Sequence, residues 1–470
     1  MLFNSPLFIY LFLPSALAMY VAAHRWMGVR AAQWALLIAS SVFYGAWSWK
    51  YLLLLYLALS VNYLIGGVLL RRPSGWILAA GVSCNLALLG YFKYANFFVS
   101  SLNEVIGTQY ALLNIILPLG MSFFIFQKIA YLTDCHRGLV VDRDPLRFAI
   151  FVMFFPQLIA GPIVHHAEIT SQLKRQSLLP DDKMLSMGLF LFASGLFKKV
   201  IVADWLAEYV NLPFAHAAEL QFLGAWTAAI AYSMQLYFDF SGYSEMAMGL
   251  ACFFGVLLPI NFNSPYKAAN IAEFWRRWHI TLGRFLRDYL YIPLGGSHHG
   301  KKRAAGAALV VMTLGGLWHG AGWTFVLWGL LHGVFLAIHR LWNSKFSLGR
   351  PVGMVVTFLA VTFAWVLFRA ASLSDALALW KTMLGFKGFV MPPILYSGWP
   401  APFTVQFSPF INGIEFWFLL VLVAFVMLTK NVHEMLEEAR TWKTAALISV
   451  MTITSIFALS HPTTFLYYQF

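Results

Sequence analysis

Residues 315–333 read GGLWHGAGWTFVLWGLLHG. Apolar runs at about 303–319 and 323–342 meet inside this stretch, each near the roughly 20 residues that a bilayer crossing needs. At their junction stands an imidazole, His319, between glycines and two tryptophans. Taking an imidazole out of water without a partner is costly, so a chain that keeps one there uses it for packing or for chemistry. A lone histidine on an apolar face is more often a packing residue. The four glycines at 315, 316, 320 and 322 shift that balance, because they let backbone or ligand approach closely.

Apolar runs of the same kind recur along the whole chain. Its 470 residues are 60% hydrophobic and only 11% Asp, Glu, Lys and Arg, with 43 phenylalanines. Soluble domains carry about 25% charged residues, so this composition is that of an all-α polytopic membrane protein in contact with the lipid bilayer. The net charge of +13 falls in short clusters between apolar runs, with no basic arm and no nucleic-acid module. No nucleic-acid partner is expected. Cys84, Cys135 and Cys252 are scattered without a CxxC pair, and His165-His166 and His298-His299 lack a third ligand at metal spacing. No metal site is expected. The first apolar stretch lacks a basic n-region and a small-residue cleavage site, so it reads as a retained span.

Candidate spans lie near 3–23, 31–48, 50–70, 76–93, 112–133, 147–164, 186–204, 222–240, 242–260, 303–319, 323–342, 351–369, 412–430 and 443–460. Several are short or interrupted by Gly or Pro, and the length criterion gives about 11 to 13 true crossings, the others being re-entrant. Arg25 and Arg30, Arg71 and Arg72, then Arg137, Arg143 and Arg147 fall on one side if the N-terminus is outside. Arg340, Lys345 and Arg350 share that side, which is the cytoplasmic one by the positive-inside rule. The loop at about 370–411 is then external, and its prolines make it irregular; helices at about 412–460 follow it. No internal repeat is visible, which weighs against a secondary transporter.

One segment is too charged to cross. In IAEFWRRWHITLGRFLRDYL (271–290) a single helix would align Ile271, Phe274, Trp275, Trp278, Leu282, Phe285, Leu286 and Tyr289, with Glu273, Arg276, Arg277, Arg284, Arg287 and Asp288 opposite and His279 at the border. That is an amphipathic interfacial helix, followed by the basic loop GGSHHGKKR (295–303). The arginines either anchor it at the membrane surface or attract an anionic cytosolic ligand. Within QLYFDFSGYSEM (235–246), Asp239 and Tyr243 share a helix face; buried there, they either hold helices together or line a polar path. His332 reads as helix packing. Neither a GxSxG elbow nor a Walker A loop nor a dinucleotide fingerprint is present.

Together, QLYFDFSGYSEMAMGL (235–250), the run from Asn261 to Gly296 and the 315–333 stretch resemble the membrane-bound O-acyltransferase family. The likeness is to its bacterial polysaccharide-modifying branch, typified by the alginate O-acetyltransferase membrane subunit. LGYFKYANFF (89–98) and IAGPIV (159–164) fit the same branch, so the resemblance covers most of residues 1–370. It implies one integral-membrane acyltransferase domain over 1–470, with re-entrant and amphipathic helices around an intramembrane tunnel. The family's essential histidine corresponds to His319, and a second polar position to His279. The resemblance further implies acetyl-coenzyme A as donor substrate with no tightly bound cofactor, Arg276, Arg277, Arg284 and Arg287 facing its phosphates, and Asp239, Tyr243 and Trp318 as further substrate-binding candidates. It places the chain in the bacterial inner membrane. A periplasmic acyltransferase or acyl-carrying subunit, within a polysaccharide synthesis and export complex, would complete O-acetylation of an alginate- or cellulose-type exopolysaccharide. D-alanyl transfer to teichoic acid, a transporter or flippase using Asp239, Glu245 and His319, and a silent scaffold are the alternatives.

Overall fold

The computed structural model describes residues 1–298, 300–342, 348–388, 413–436, 441–460 and Leu466, and its regular structure there is entirely helical. Among the described residues six helices are long and apolar enough to cross a membrane: Phe8–Met27, Trp49–Arg71, Gly75–Ile106, Asp182–Ala215, Trp323–Trp342 and Arg350–Arg369. Shorter apolar helices run over Phe416–Leu428 and Trp442–Phe457. The chain forms two compact units. The first comprises Met1–Leu196, Tyr243–Ile260 and Glu438–Tyr468, and the second Phe197–Gly242, Asn261–Glu437 and Gln469–Phe470.

In the first unit, Asn62 and Asn85 exchange side-chain hydrogen bonds of 3.3 and 2.7 Å between neighbouring helices, the polar cross-link favoured where water is scarce. Gly66 allows Tyr131 so close that a Cβ there would lie 2.5 Å from its ring. Asp144 caps the helix Pro145–Met153 by accepting from the Leu146 and Arg147 N–H groups. Two expected spans differ. Over 112–133 regular helix begins only at Met121, after Pro118 and a left-handed Gly120. The run 147–164 is divided after Met153, with Pro156 opening a one-turn helix and the chain leaving helix before Pro162, because proline lacks the N–H that helix continuation uses.

We label five helices of the second unit and the one that begins in it. Helix α1, Phe222–Phe253, is continuous where two spans at 222–240 and 242–260 were expected. Every residue from Thr227 to Cys252 is buried, so no face meets lipid, and Ser241–Gly242 interrupts the hydropathy without breaking the helix. The single amphipathic helix expected over 271–290 is two helices, α2 (Ile271–Arg277) and α3 (Ile280–Leu286). Helix α4 (Gly300–His319) takes in the basic end of the expected 295–303 loop as its first turn. It packs along α5 (Trp323–Trp342) through glycines, and a Cβ on Gly316 would lie 2.2 Å from the Phe325 carbonyl and 3.0 Å from the Gly329 Cα. Helix α6 is Arg350–Arg369. The near half of the loop expected to be irregular at 370–411 is helical, Leu373–Met383, capped by Ser372. Its proline-rich half lies outside the described residues, as do Lys345 and His299.

Candidate active site

The break between α2 and α3 decides where His279 goes. The chain leaves helix at Trp278 (φ −99°, ψ 128°), and His279 takes the left-handed region at φ 45°, ψ 53°. Among the described non-glycine residues only Ser264 shares a positive φ, a conformation costing of order 1–3 kcal/mol that persists only when surroundings over-determine it. Here they do. The Ile280 N–H donates to the Asn261 carbonyl at 2.9 Å, the Thr281 hydroxyl donates to Asn261 Oδ1 at 2.9 Å, and the Asn263 N–H donates to the Arg277 carbonyl at 2.9 Å. Asn270 caps α2 from the other side, accepting from the Glu273 N–H at 2.8 Å.

This kink carries His279 from the expected helix border into the interior, where it is 1% exposed. Its ring meets the Phe240 edge at 4.8 Å and 84°, and neither ring nitrogen finds a hydrogen-bond partner outside its own residue. Burial in this non-spanning segment pushes the imidazole down to about 3, which keeps it neutral at pH 7 and leaves it able to accept a hydrogen bond.

His319 ends α4 and is 5% exposed. Its ring lies 6.3 Å from that of His279, 5.2 Å from Trp328 at 89°, and 5.3 Å from Phe368. Trp318 borders both imidazoles, at 4.9 and 6.3 Å. The two imidazoles are neighbours within one buried aromatic cluster. Of the two approaches that the glycines around His319 allow, backbone is the one at Gly316, while the Phe325 ring fills Gly320 and Gly322 stays in ordinary contact. They bring α5 close to α4, which places Trp328 against His319.

The other candidates separate. Asp239 is 1% exposed and accepts from Lys199 at 2.7 Å, and Lys199 also donates to Asp204 at 2.6 Å. That pairing anchors α1 one residue before Phe240, the ring against His279. Lys199 was not singled out from sequence, although a lysine inside the apolar 186–204 run was the available signal. Tyr243 belongs to the first unit, where it stacks on Phe3 at 4.9 Å. Arg277 is occupied by Glu273 at 2.9 Å and by the Asn263 carbonyl, and Arg287 by its neighbour Asp288 at 2.7 Å. Burial alone would raise Glu273, but the Ala269 N–H, Arg277 and Arg350 together hold it below the usual glutamate range. Arg276 is exposed and Arg284 half-buried. His332 is fully buried against Trp275 and Trp328, at 5.2 and 4.9 Å.

Residues 122–373, which include both central histidines, match the model of the MBOAT, membrane-bound O-acyltransferase family. Over 426 residues the chain is 42% identical to the peptidoglycan O-acetyltransferase of Helicobacter pylori, covering 83% of this chain and 80% of that protein. It is equally 42% identical, over 400 residues, to the probable alginate O-acetylase AlgI of Pseudomonas aeruginosa, covering 82% and 75%. The teichoic acid D-alanyltransferase of Bacillus subtilis is 30% identical over 270 residues, covering 54% of this chain and 68% of that protein.

Proposed function

Because the chain belongs to the membrane-bound O-acyltransferase family and is an acyltransferase of the membrane, we propose that it moves an acetyl group from cytosolic acetyl-coenzyme A across the bacterial inner membrane for O-acetylation of a secreted polysaccharide. The observation that carries this reading is the pair of buried imidazoles 6.3 Å apart in an aromatic enclosure. His319 takes the proton of the attacking hydroxyl as that oxygen bonds to the thioester carbonyl carbon. The carbon–sulfur bond breaks, and the imidazolium returns its proton to the departing thiolate. General-base help of this kind is worth about 10²–10⁴-fold. His279, neutral and held by backbone strain, positions the acyl group or the acceptor.

Two of the relatives compared carry names of O-acetylation, one of peptidoglycan and one of alginate, which supports acetyl as the group and a glycan as its destination. A polymer is too bulky for a passage between helices, so the immediate acceptor is a hydroxyl on a separate outer acyltransferase or acyl-carrying subunit. With the arginine clusters of the short loops on the cytoplasmic side, the N-terminus is periplasmic. Likeness to the D-alanyltransferase is lower and shorter, which keeps that reading second.

The test is cleavage of acetyl-coenzyme A by purified protein with its outer partner, wild type against His319→Ala, with folding followed by detergent size exclusion and thermal unfolding. Loss of cleavage in a folded variant is expected. Equal cleavage by both proteins sinks the assignment, and turnover only with a carrier-bound D-alanyl thioester moves the chain to the second reading.

A further inference from the structure

Resting on the role proposed for His279, we propose that Asn431 is a positioning residue for the reaction, fixing His279 from outside the stretch 122–373 that matches the family. The side-chain amide of Asn431 donates to Asn263 Oδ1 at 2.9 Å and to the Ser264 hydroxyl at 2.8 Å. Both acceptors belong to the loop that precedes α2, and Ser264 is buried at φ 46°. Close by, the Lys267 ammonium donates to the Thr429 carbonyl, so the chain after the helix Gly413–Leu428 is fastened to that loop at two points. All of these residues lie in the second unit.

The loop is in turn zipped to the kink. The Asn263 N–H donates to the Arg277 carbonyl at 2.9 Å, and Arg277 Nη1 donates back to the Asn263 carbonyl at 3.1 Å. Asn261 receives the Ile280 N–H and the Thr281 hydroxyl, both at 2.9 Å. Between these two asparagines, Phe262 packs edge-on to Trp278 at 5.0 Å and lies 6.3 Å from His279. Ser264 and His279, the described non-glycine residues with positive φ, therefore sit on the two sides of one hydrogen-bonded ladder. A residue in that conformation persists only if its surroundings over-determine it. Asn431 supplies the restraint at Ser264, and the ladder carries it to His279.

The chemistry of the contact singles out the amide. Asn431 Oδ1 accepts from the Glu434 N–H at 2.9 Å, and the Glu434 carboxylate accepts from the Asn431 N–H at 2.9 Å, a capping box on the one-turn helix Val432–Met435. That cap needs only a side-chain oxygen, which serine or aspartate supplies as well. Donating twice in the other direction needs the NH2 group. With its oxygen turned to its own helix and its two N–H groups to the loop, Asn431 does more than cap a helix. Serine here would keep the cap and fall one C–N bond, about 1.3 Å, short of the loop acceptors.

The test compares Asn431→Ser, which keeps the cap and loses both donations, with Glu434→Ala, which removes half of the capping box and leaves the amide in place. Steady-state cleavage of acetyl-coenzyme A is read together with hydrogen–deuterium exchange of peptides covering 261–281. Two ordinary hydrogen bonds, each worth about fivefold, predict a fall of about five- to twenty-five-fold in kcat for Asn431→Ser, with KM for the donor steady. Exchange should quicken at the Asn263 and Ile280 amides, and unchanged exchange elsewhere shows that the fold survives. Glu434→Ala should match wild type in kcat and in the exchange of 261–281. In a His279→Asn background Asn431→Ser should cost little more, because effects exerted through one group do not add. The proposal is overturned if Asn431→Ser keeps the wild-type kcat, if Glu434→Ala falls as far, if the loss appears in KM, or if the full loss recurs in the His279→Asn background. Faster exchange confined to 429–436 overturns it as well. Exchange needs no turnover, so it decides the clamp even if wild type cleaves no acetyl donor, an outcome that refutes the transferase reading instead.

Discussion

Gly329→Ala tests whether the approach of α5 to α4 sets the catalytic geometry. A Cβ at Gly329 would stand 2.3 Å from the Met312 carbonyl oxygen and 3.0 Å from the Gly316 Cα, where ordinary contact begins near 3.4 Å. The obstructing atoms are backbone and cannot swing aside, so the two helices must part by about 1 Å. Overpacking of that size costs ~1–3 kcal/mol, of which the better helix propensity of alanine returns up to ~1. The larger effect is on rate. Parting the helices draws Trp328 from His319, now 5.2 Å away, and a misplacement of ~1 Å is worth about 10²-fold. Gly306→Ala is the control on the facing helix α4, since a Cβ there meets nothing within 4 Å; it should leave kcat unchanged and raise stability slightly. Initial rates of acyl transfer and thermal unfolding in one detergent read both effects. Should Gly329→Ala match Gly306→Ala in kcat and Tm, the reasoning about the glycine contact is wrong.

Other expectations follow from single contacts. Lys199→Met strands the Asp239 and Asp204 carboxylates that it bridges at 2.7 and 2.6 Å, a loss of about 3–5 kcal/mol; combining it with Asp239→Asn should recover part of the Tm. His279→Asn, which tolerates the left-handed backbone at φ 45°, should keep Tm and lower kcat, whereas β-branched His279→Val should lower both. In the first unit, burial works to raise Asp142, but its hydrogen bonds from Arg147, the Asp144 N–H and the charge of Lys174 together hold it below the ordinary value of 3.8. Its contribution is therefore present above the unfolded-state pKa and lost as pH falls through the folded one. Tm measured from pH 6 down to pH 3 should fall less steeply for Asp142→Asn than for wild type, and identical slopes count against the network.

What was legible in the sequence was whatever depends on neighbours in the chain. The helical class and the non-crossing character of 271–290 were read from runs and motifs, and the apolar stripe of 271–290 survives in the buried Phe274, Trp278, Leu282, Phe285 and Leu286. The break at Trp278–His279 left no local mark, because the helical spacing continues across it and the restraint comes from Asn261. Helix α1 was read as two spans because polar residues interrupt its hydropathy, although burial on all sides removes the penalty that the reading assumed.

Charge shows the same limit most clearly. The densest run of arginines in the chain looked like the anion site, yet density in sequence also brings carboxylates within reach. Arg277 lies one helical turn from Glu273 and Arg287 beside Asp288, and each closes a pair with its own neighbour. Lys301 and Arg340 come from different helices and meet at one cavity with no acidic residue among its lining. A cation is available to a ligand when no carboxylate competes for it, and that condition is set by the packing of α4 on α5. The glycines of 315–333, read from sequence as letting backbone or ligand approach closely, admit backbone here: they bring together two helices whose far ends carry Lys301 and Arg340 and whose near ends carry His319 and Trp328.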